Sequence, residues 1–150
     1  MKKSRILGIL FTVAITFMLV WMMIAVNGGS IVAVLDLPTI AGIFICVPLL
    51  WASGYGKDFL NAIKITFCDT EFEERELLHS EKSCSFLLKV LWIEAFLFTL
   101  VDFLGVFNNL DDESSFGSGV ALSLLPFFYA LILSLFILLI KCRVERSCKA

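Results

Sequence analysis

The chain has 150 residues, of which 59% are hydrophobic and 17% charged, with a mean hydropathy of +0.94 and a formal net charge of -2. Soluble domains run at about 45–50% apolar and ~25% charged, so the composition argues against an ordinary soluble domain and places the chain among integral membrane proteins. No basic cluster is interleaved with aromatics, which leaves nucleic-acid binding without support.

A hydrocarbon core of ~30 Å needs roughly 20 apolar residues per helix, and four runs approach that length. The first, 6–26, follows "MKKSR" and carries no charge. It is longer than the ~7–15 residues of a signal-peptide core and no Ala-x-Ala site follows, so it reads as a retained helix. The second, 39–55, is shorter. After it, residues 57–67 read as a helix running out of the membrane with Phe59, Leu60, Ile63 and Phe67 on one face. The acid-rich "EFEERELLHSEK" then reads as a short, solvated helical linker within 57–84. His79 stands there without a partner cluster and is assigned no role. The third run, 86–107, carries Lys89, Glu94 and Asp102, and the fourth, 119–140, is free of charge. Ser118 is placed to cap the fourth helix. The expectation is an all-α integral membrane protein of four transmembrane helices in one domain, 1–150.

Charge segregation sets the orientation. Cytoplasmic flanks of membrane helices are enriched in Lys and Arg. All 12 basic residues fall on one side if both termini are cytoplasmic, while the loops 27–38 and 108–118 hold none. The expected location is the cell inner membrane, with the acidic loop 108–118 facing outward. Cys68, Cys84, Cys142 and Cys148 then lie on the reducing side and Cys46 lies within a helix, so no disulfide is expected. No cysteine spacing resembles a metal site, no Ser/His/Asp or Cys/His set appears, and neither cofactor nor enzymatic activity is expected.

Two stripes mark a candidate pore or packing face. In the fourth run Gly119, Ser123, Pro126, Ala130 and Ser134 recur at spacings of four, three, four and four. In the third, Ala95, Thr99, Asp102 and Val106 fall on a comparable stripe, with Gly105 at its edge. Small residues allow membrane helices to approach closely, so tight packing, a pore lining and a groove for a partner helix are all open. Two such stripes predict a homo-oligomer, on the reasoning that one helix pair cannot use both and also bury Asp102. Acids within a bilayer cost about 2.5–3.5 kcal/mol or more to insert and commonly face protein or water, which adds Glu94 and Asp102 to the face. Glu94 lies eight residues before Asp102, ~12 Å along the helix and turned by about 80°.

The segment "TLVDFLGVFNNLDDESSFGSGVALSLLPFFYALIL" resembles the third helix, loop and fourth helix of the flagellar stator MotA subunits in the MotA/TolQ/ExbB proton-channel superfamily. Thr99 matches the threonine of the pattern G-T-V-x-G-L. Leu110, Asp111, Asp112, Ser114, Gly117 and Gly119 match its N-L-D-D-P-S-x-x-G-x-G loop, and Tyr129 matches the tyrosine of L-L-T-T-L-Y-G-L-I. Upstream, Asp36, Leu37 and Pro38 stand in the family's D-x-P-S element, followed by an exit helix like 56–64. Departures are also plain. The large cytoplasmic domain that engages the rotor is replaced by the short linker, and Phe98 and Asp102 stand where the family has glycines. Pro126 and Phe127 take the places of its fourth-helix threonines, and Trp92 that of its third-helix proline. The resemblance implies a minimal, oligomeric membrane subunit of a proton or ion channel complex, with a single-span membrane partner. The alternatives are a non-conducting scaffold for another membrane protein, or a small-solute transporter using Asp102 and Glu94. No inverted repeat supports the transporter.

Overall fold

Proline has no backbone N–H and crowds the carbonyl four residues before it, and Pro48 and Pro126 lie just after the two breaks inside apolar helices. In the computed structural model, residues 36–67, 72–108 and 113–148 are described, together with 11, 14–16, 18 and 20–22. The described members of the first run are helical, and Phe11, Met18 and Trp21 are exposed. The rest of that run lies outside the described residues, as do Cys68 and the acids Asp111 and Asp112 of the loop. Among the described residues every regular element is a helix.

The second apolar run is broken. Its first piece, α1 (Leu37–Ile43), starts on Asp36, whose carboxylate accepts hydrogen bonds from the N–H and hydroxyl of Thr39. This is the usual way an N-cap satisfies a donor left free by the first turn, and Pro38 sits in that turn, where it displaces no hydrogen bond. The second piece is α2 (Cys46–Ala52). Pro48 cannot donate to the Phe44 carbonyl. The chain tightens there instead, with Ile45 N–H to the Gly42 carbonyl at 2.9 Å and Val47 N–H to the Phe44 carbonyl at 3.1 Å. Gly54 then takes φ +85°, a left-handed conformation that glycine adopts without steric cost. The chain turns by 105° into α3 (Gly56–Phe67).

On α3 the small residues are the most buried, and Phe59 and Ile63 are half-buried. Gly56, Ala62 and Thr66 are buried, whereas Leu60 and Phe67 are exposed. Small Ala62 and Thr66 let α3 lie close to its neighbours, and Phe59 and Ile65 pack half-buried against the core.

The third run is one uninterrupted helix, α4 (Glu74–Phe107), 34 residues long. The expected linker therefore does not end at residue 84 as a separate element, and its second half forms the first turns of α4. Glu76 accepts from the Glu73 N–H at 3.4 Å, and acids suit a helix N-terminus, where the backbone dipole is positive. Leu77, Ser80, Ser83, Cys84, Leu87, Leu91, Glu94, Ala95 and Thr99 are buried. Their spacing of mostly threes and fours is that of a helix packed along its whole length on another. The charged face and the packed face thus coexist in one helix.

The last run comprises α5 (Glu113–Ser123) and α6 (Leu125–Cys148). The expected cap at Ser118 is wrong: Ser118 lies inside α5, which begins at Glu113. The helix runs on through the Ser/Gly stretch. At Leu124, before Pro126, the bond tightens to the Ala121 carbonyl at 3.3 Å. Residues Phe116–Cys148 still form one stretch long and apolar enough to cross a membrane, as does α4. The bent α1–α3 segment supplies a third if it is counted as one span.

Antiparallel packing of α4 on α6 is the axis of the fold. Trp92 and Phe96 both meet Phe127, with ring centroids 6.1 and 6.4 Å apart. At the far end Cys148 shares a recess with Glu74, Arg75 and Glu81. The core gathers Ile43, Cys46, Leu50, Ala62, Leu87, Leu91, Ala95, Ala130, Ile137 and Val144. Tyr55 reaches Phe86 at 5.3 Å and ties the turn after α2 to α4. Outside this core Ile93, Phe96, Leu97, Leu100, Val101 and Leu104 are all exposed. A contiguous apolar exterior of this kind suits lipid rather than water.

Candidate functional site

The two ends of the α4–α6 pair differ in what fills them. At the end nearer the acidic loop, Asp36, Asp102, Ser118 and Ser123 line an open pocket of about 490 Å³, with Gly105 and Gly119 in its wall. Three elements position its polar groups. The N-cap geometry of α1 holds Asp36, and the Asp36 N–H donates to the Tyr129 hydroxyl of α6 at 3.3 Å. Asp102 comes from the last turns of α4. Ser123 closes α5, its hydroxyl donating to the Gly119 carbonyl at 2.9 Å.

Gly119 is there for space. A Cβ at that position would come within 2.9 Å of Val106, closer than side chains approach one another. Asp36 and Asp102 are near enough for their charges to interact, and no ion pair to either is present among the described residues. Two acids facing one concave site make it attractive to cations and protons.

Of the nine residues of the candidate face, Glu94, Ala95, Thr99, Ser123, Pro126, Ala130 and Ser134 are buried, and Asp102 and Gly119 are half-buried at the pocket. The chain thus brings both stripes together within a single molecule. Asp102 stays half-buried in this arrangement, and α1 and α2 pack over the same region. Close approach is general there: a Cβ on Gly42 of α1 would lie 2.8 Å from the Phe98 ring of α4.

Glu94 occupies the most demanding position. It is 7% exposed, and neither carboxylate oxygen has a hydrogen-bond partner among the described residues. The backbone N–H of Cys46, at the start of α2, lies near its carboxylate without completing a hydrogen bond. Thr99 Oγ1 and Ser134 Oγ are likewise buried and unpartnered. Leaving such groups unmade costs roughly 1–3 kcal/mol apiece, and more for a charge. An unsatisfied polar line of this kind in an apolar core points to a role other than packing.

Sequence reasoning missed Asp36 and Cys46 as neighbours of the acids. Asp36 had a local signal, an Asp three residues before Thr with Pro in the first turn. Cys46 had none, since its place depends on the break at Pro48. No three His, Cys, Asp or Glu side chains converge as a metal site among the described residues. His79 Nδ1 lies 3.8 Å from the Asp58 carboxylate, a pairing across α3 and α4 that pattern reading does not reach.

Comparison with protein-family models, with curated proteins and with solved structures returns no match for this chain.

Proposed function

We propose that the chain is a four-span subunit of the cell inner membrane, with both termini cytoplasmic, that takes part in proton or ion movement in the manner of the MotA/TolQ/ExbB proteins. The observation that carries this reading is the pocket holding Asp36 and Asp102 at the loop end of the α4–α6 pair. Its lining comes from segments that carry the resemblance: Asp36 of the Asp-Leu-Pro element, the stretch from Val101 to Val106, and residues 118–123. Assembly with copies of itself and with a single-span partner rests on the resemblance alone, since both small-residue stripes are occupied within one chain. That occupancy favours the second reading, a non-conducting scaffold.

Reconstituted protein should show a proton flux into liposomes that falls severalfold in Asp102→Asn, which keeps size and polarity but cannot ionise. Unchanged flux in this variant, with a monodisperse monomer in native nanodiscs, would leave the scaffold. Orientation is read separately from Cys142, which is exposed. A membrane-impermeant maleimide should label it only after cells are permeabilised.

A further inference from the structure

We propose that Glu94 is an interior proton-binding site, filled and emptied from the pocket of Asp36 and Asp102 by way of Thr99. The site deepens the reading above and rests on its membrane placement, but not on net conduction.

Three observations converge on it. Glu94 is more than nine-tenths buried with both oxygens unpartnered. It lies near the middle of the apolar part of α4, where a bare carboxylate is costly, while a protonated one carries no charge and can itself donate. The break before Pro48 brings the Cys46 end of α2, rather than a continuous helical surface, against it.

The pocket of Asp36 and Asp102 is the polar opening nearest to Glu94 along α4. From Asp102, Thr99 is three residues down α4 and Glu94 a further five, steps of ~4.5 and ~7.5 Å along the axis. Thr99 Oγ1 on α4 is the unpartnered polar atom between Glu94 and the pocket, whereas Ser134 Oγ on α6, seven residues past Phe127, lies on the far side of Glu94. Below Glu94, Leu91, Leu87 and Ile137 line a second pocket of about 370 Å³, bordered by Cys46, whose walls are almost wholly apolar and offer a proton no relay. A proton is the occupant that fits. A metal cation needs four or more ligands, and Glu94 with Cys46 falls short of the three that would begin a set.

The other titratable and charged groups are placed as follows. Cys46 on α2 lies beside Glu94, Asp36 heads α1, and Tyr129 on α6 accepts from the Asp36 N–H. On α3, Asp58 is beside His79, fifteen residues down α4 from Glu94, and Lys57 and Lys64 are exposed. On α6, Lys141 is paired with Glu145 at 3.5 Å. Lys89, on α4 itself, is exposed.

Dicyclohexylcarbodiimide, an apolar reagent, adds the O–H of a protonated carboxyl across its C=N bond, and the adduct rearranges to a stable N-acylurea that peptide mass spectrometry locates. Applied to the full chain in proteoliposomes, it should modify Glu94. The labelling should be lost as the pH is raised on the pocket side alone, and kept when it is raised on the other side. Asp102→Asn and Asp36→Asn, which leave Glu94 in place, should slow the response to pocket-side pH, and Glu94→Gln should remove the labelled peptide. Labelling of Glu94 that ignores pH on both sides would make it a permanently neutral packing group and overturn the proposal. So would labelling that follows the opposite side, or an unlabelled Glu94 in folded protein. Pocket-side control of labelling without any flux would keep the site and remove the transport reading. Flux with Glu94 unlabelled would do the reverse.

Discussion

Between Cys84 and Leu91, α4 turns Cys84, Leu87 and Leu91 toward a core that α6 completes with Ile137 and Val144. Between Glu94 and Asp102 the same helix, on the same spacing, presents Glu94, Ala95, Thr99 and Asp102 in the region where Ser123, Pro126 and Ala130 are also buried. Burial is nearly as complete in the second region as in the first, so the difference is one of chemistry. In lipid, helices gain little from hiding apolar surface from water and associate through close contact and hydrogen bonds. The first region supplies contact through large interlocking side chains. The second uses small residues, which bring backbones together and leave polar atoms without partners.

The contrast can be broken most severely at Leu91, which is 1% exposed. Leu91→Ala opens a cavity in the close-packed region and should cost about 2–4 kcal/mol, read as an earlier midpoint in a detergent–SDS unfolding titration. The matching change in the other region, Thr99→Ala, removes an unpartnered hydroxyl and should leave that midpoint nearly unmoved. A loss in Thr99→Ala as large as that in Leu91→Ala would mean the two regions do not differ in kind.

A smaller loss is expected from closing the space between backbones. Gly42→Ala pushes a Cβ to 2.8 Å from the Phe98 ring and should destabilise by about 1–3 kcal/mol, the usual range for overpacking. Adding Phe98→Leu should recover most of the loss. If the double variant is no better than the single, the close approach at Gly42 is not what limits packing there.

Least of all, Asp36→Ala removes the hydrogen bonds to Thr39 that start α1. Loss of such a cap costs about 0.5–2 kcal/mol, and amide exchange should rise first at Thr39 and Ile40. Protection unchanged at these two residues would show that Tyr129, not the cap, anchors this end.

What the sequence made legible follows from the range of each interaction. The apolar runs and the small-residue stripe of α6 are local periodicities, and Ser123, Pro126, Ala130 and Ser134 do share a buried face. Asp102 stood out as an acid in an apolar run. The continuation of α4 back to Glu74 was hidden because charges dominate that stretch, although Leu77, Ser80 and Cys84 already carry the packing rhythm. Ser118 looked like a cap because Ser favours that position, yet the helix had begun at Glu113. For α3, the pattern grouped the large side chains, but not which of them pack inward: Phe59 does, while Leu60 and Phe67 are exposed. The meeting of Glu94 with Cys46 depends on where Pro48 breaks a distant helix, and local pattern does not reach that far.

At 1.5 Å per residue, the 34 residues of α4 make a rod of ~51 Å, against a hydrocarbon thickness of ~30 Å. Its charged turns from Glu74 to Lys82 therefore stand clear of any bilayer that holds the remainder, braced by the end of α6 at Cys148. No proline or glycine interrupts it before Gly105. A torque applied at the charged end is transmitted to Glu94 without an intervening joint. The path through α1, α2 and α3 is broken twice, at 44–45 and at 53–55. The chain thus sets one continuous helix against a twice-broken one, and the buried acid sits where the two meet.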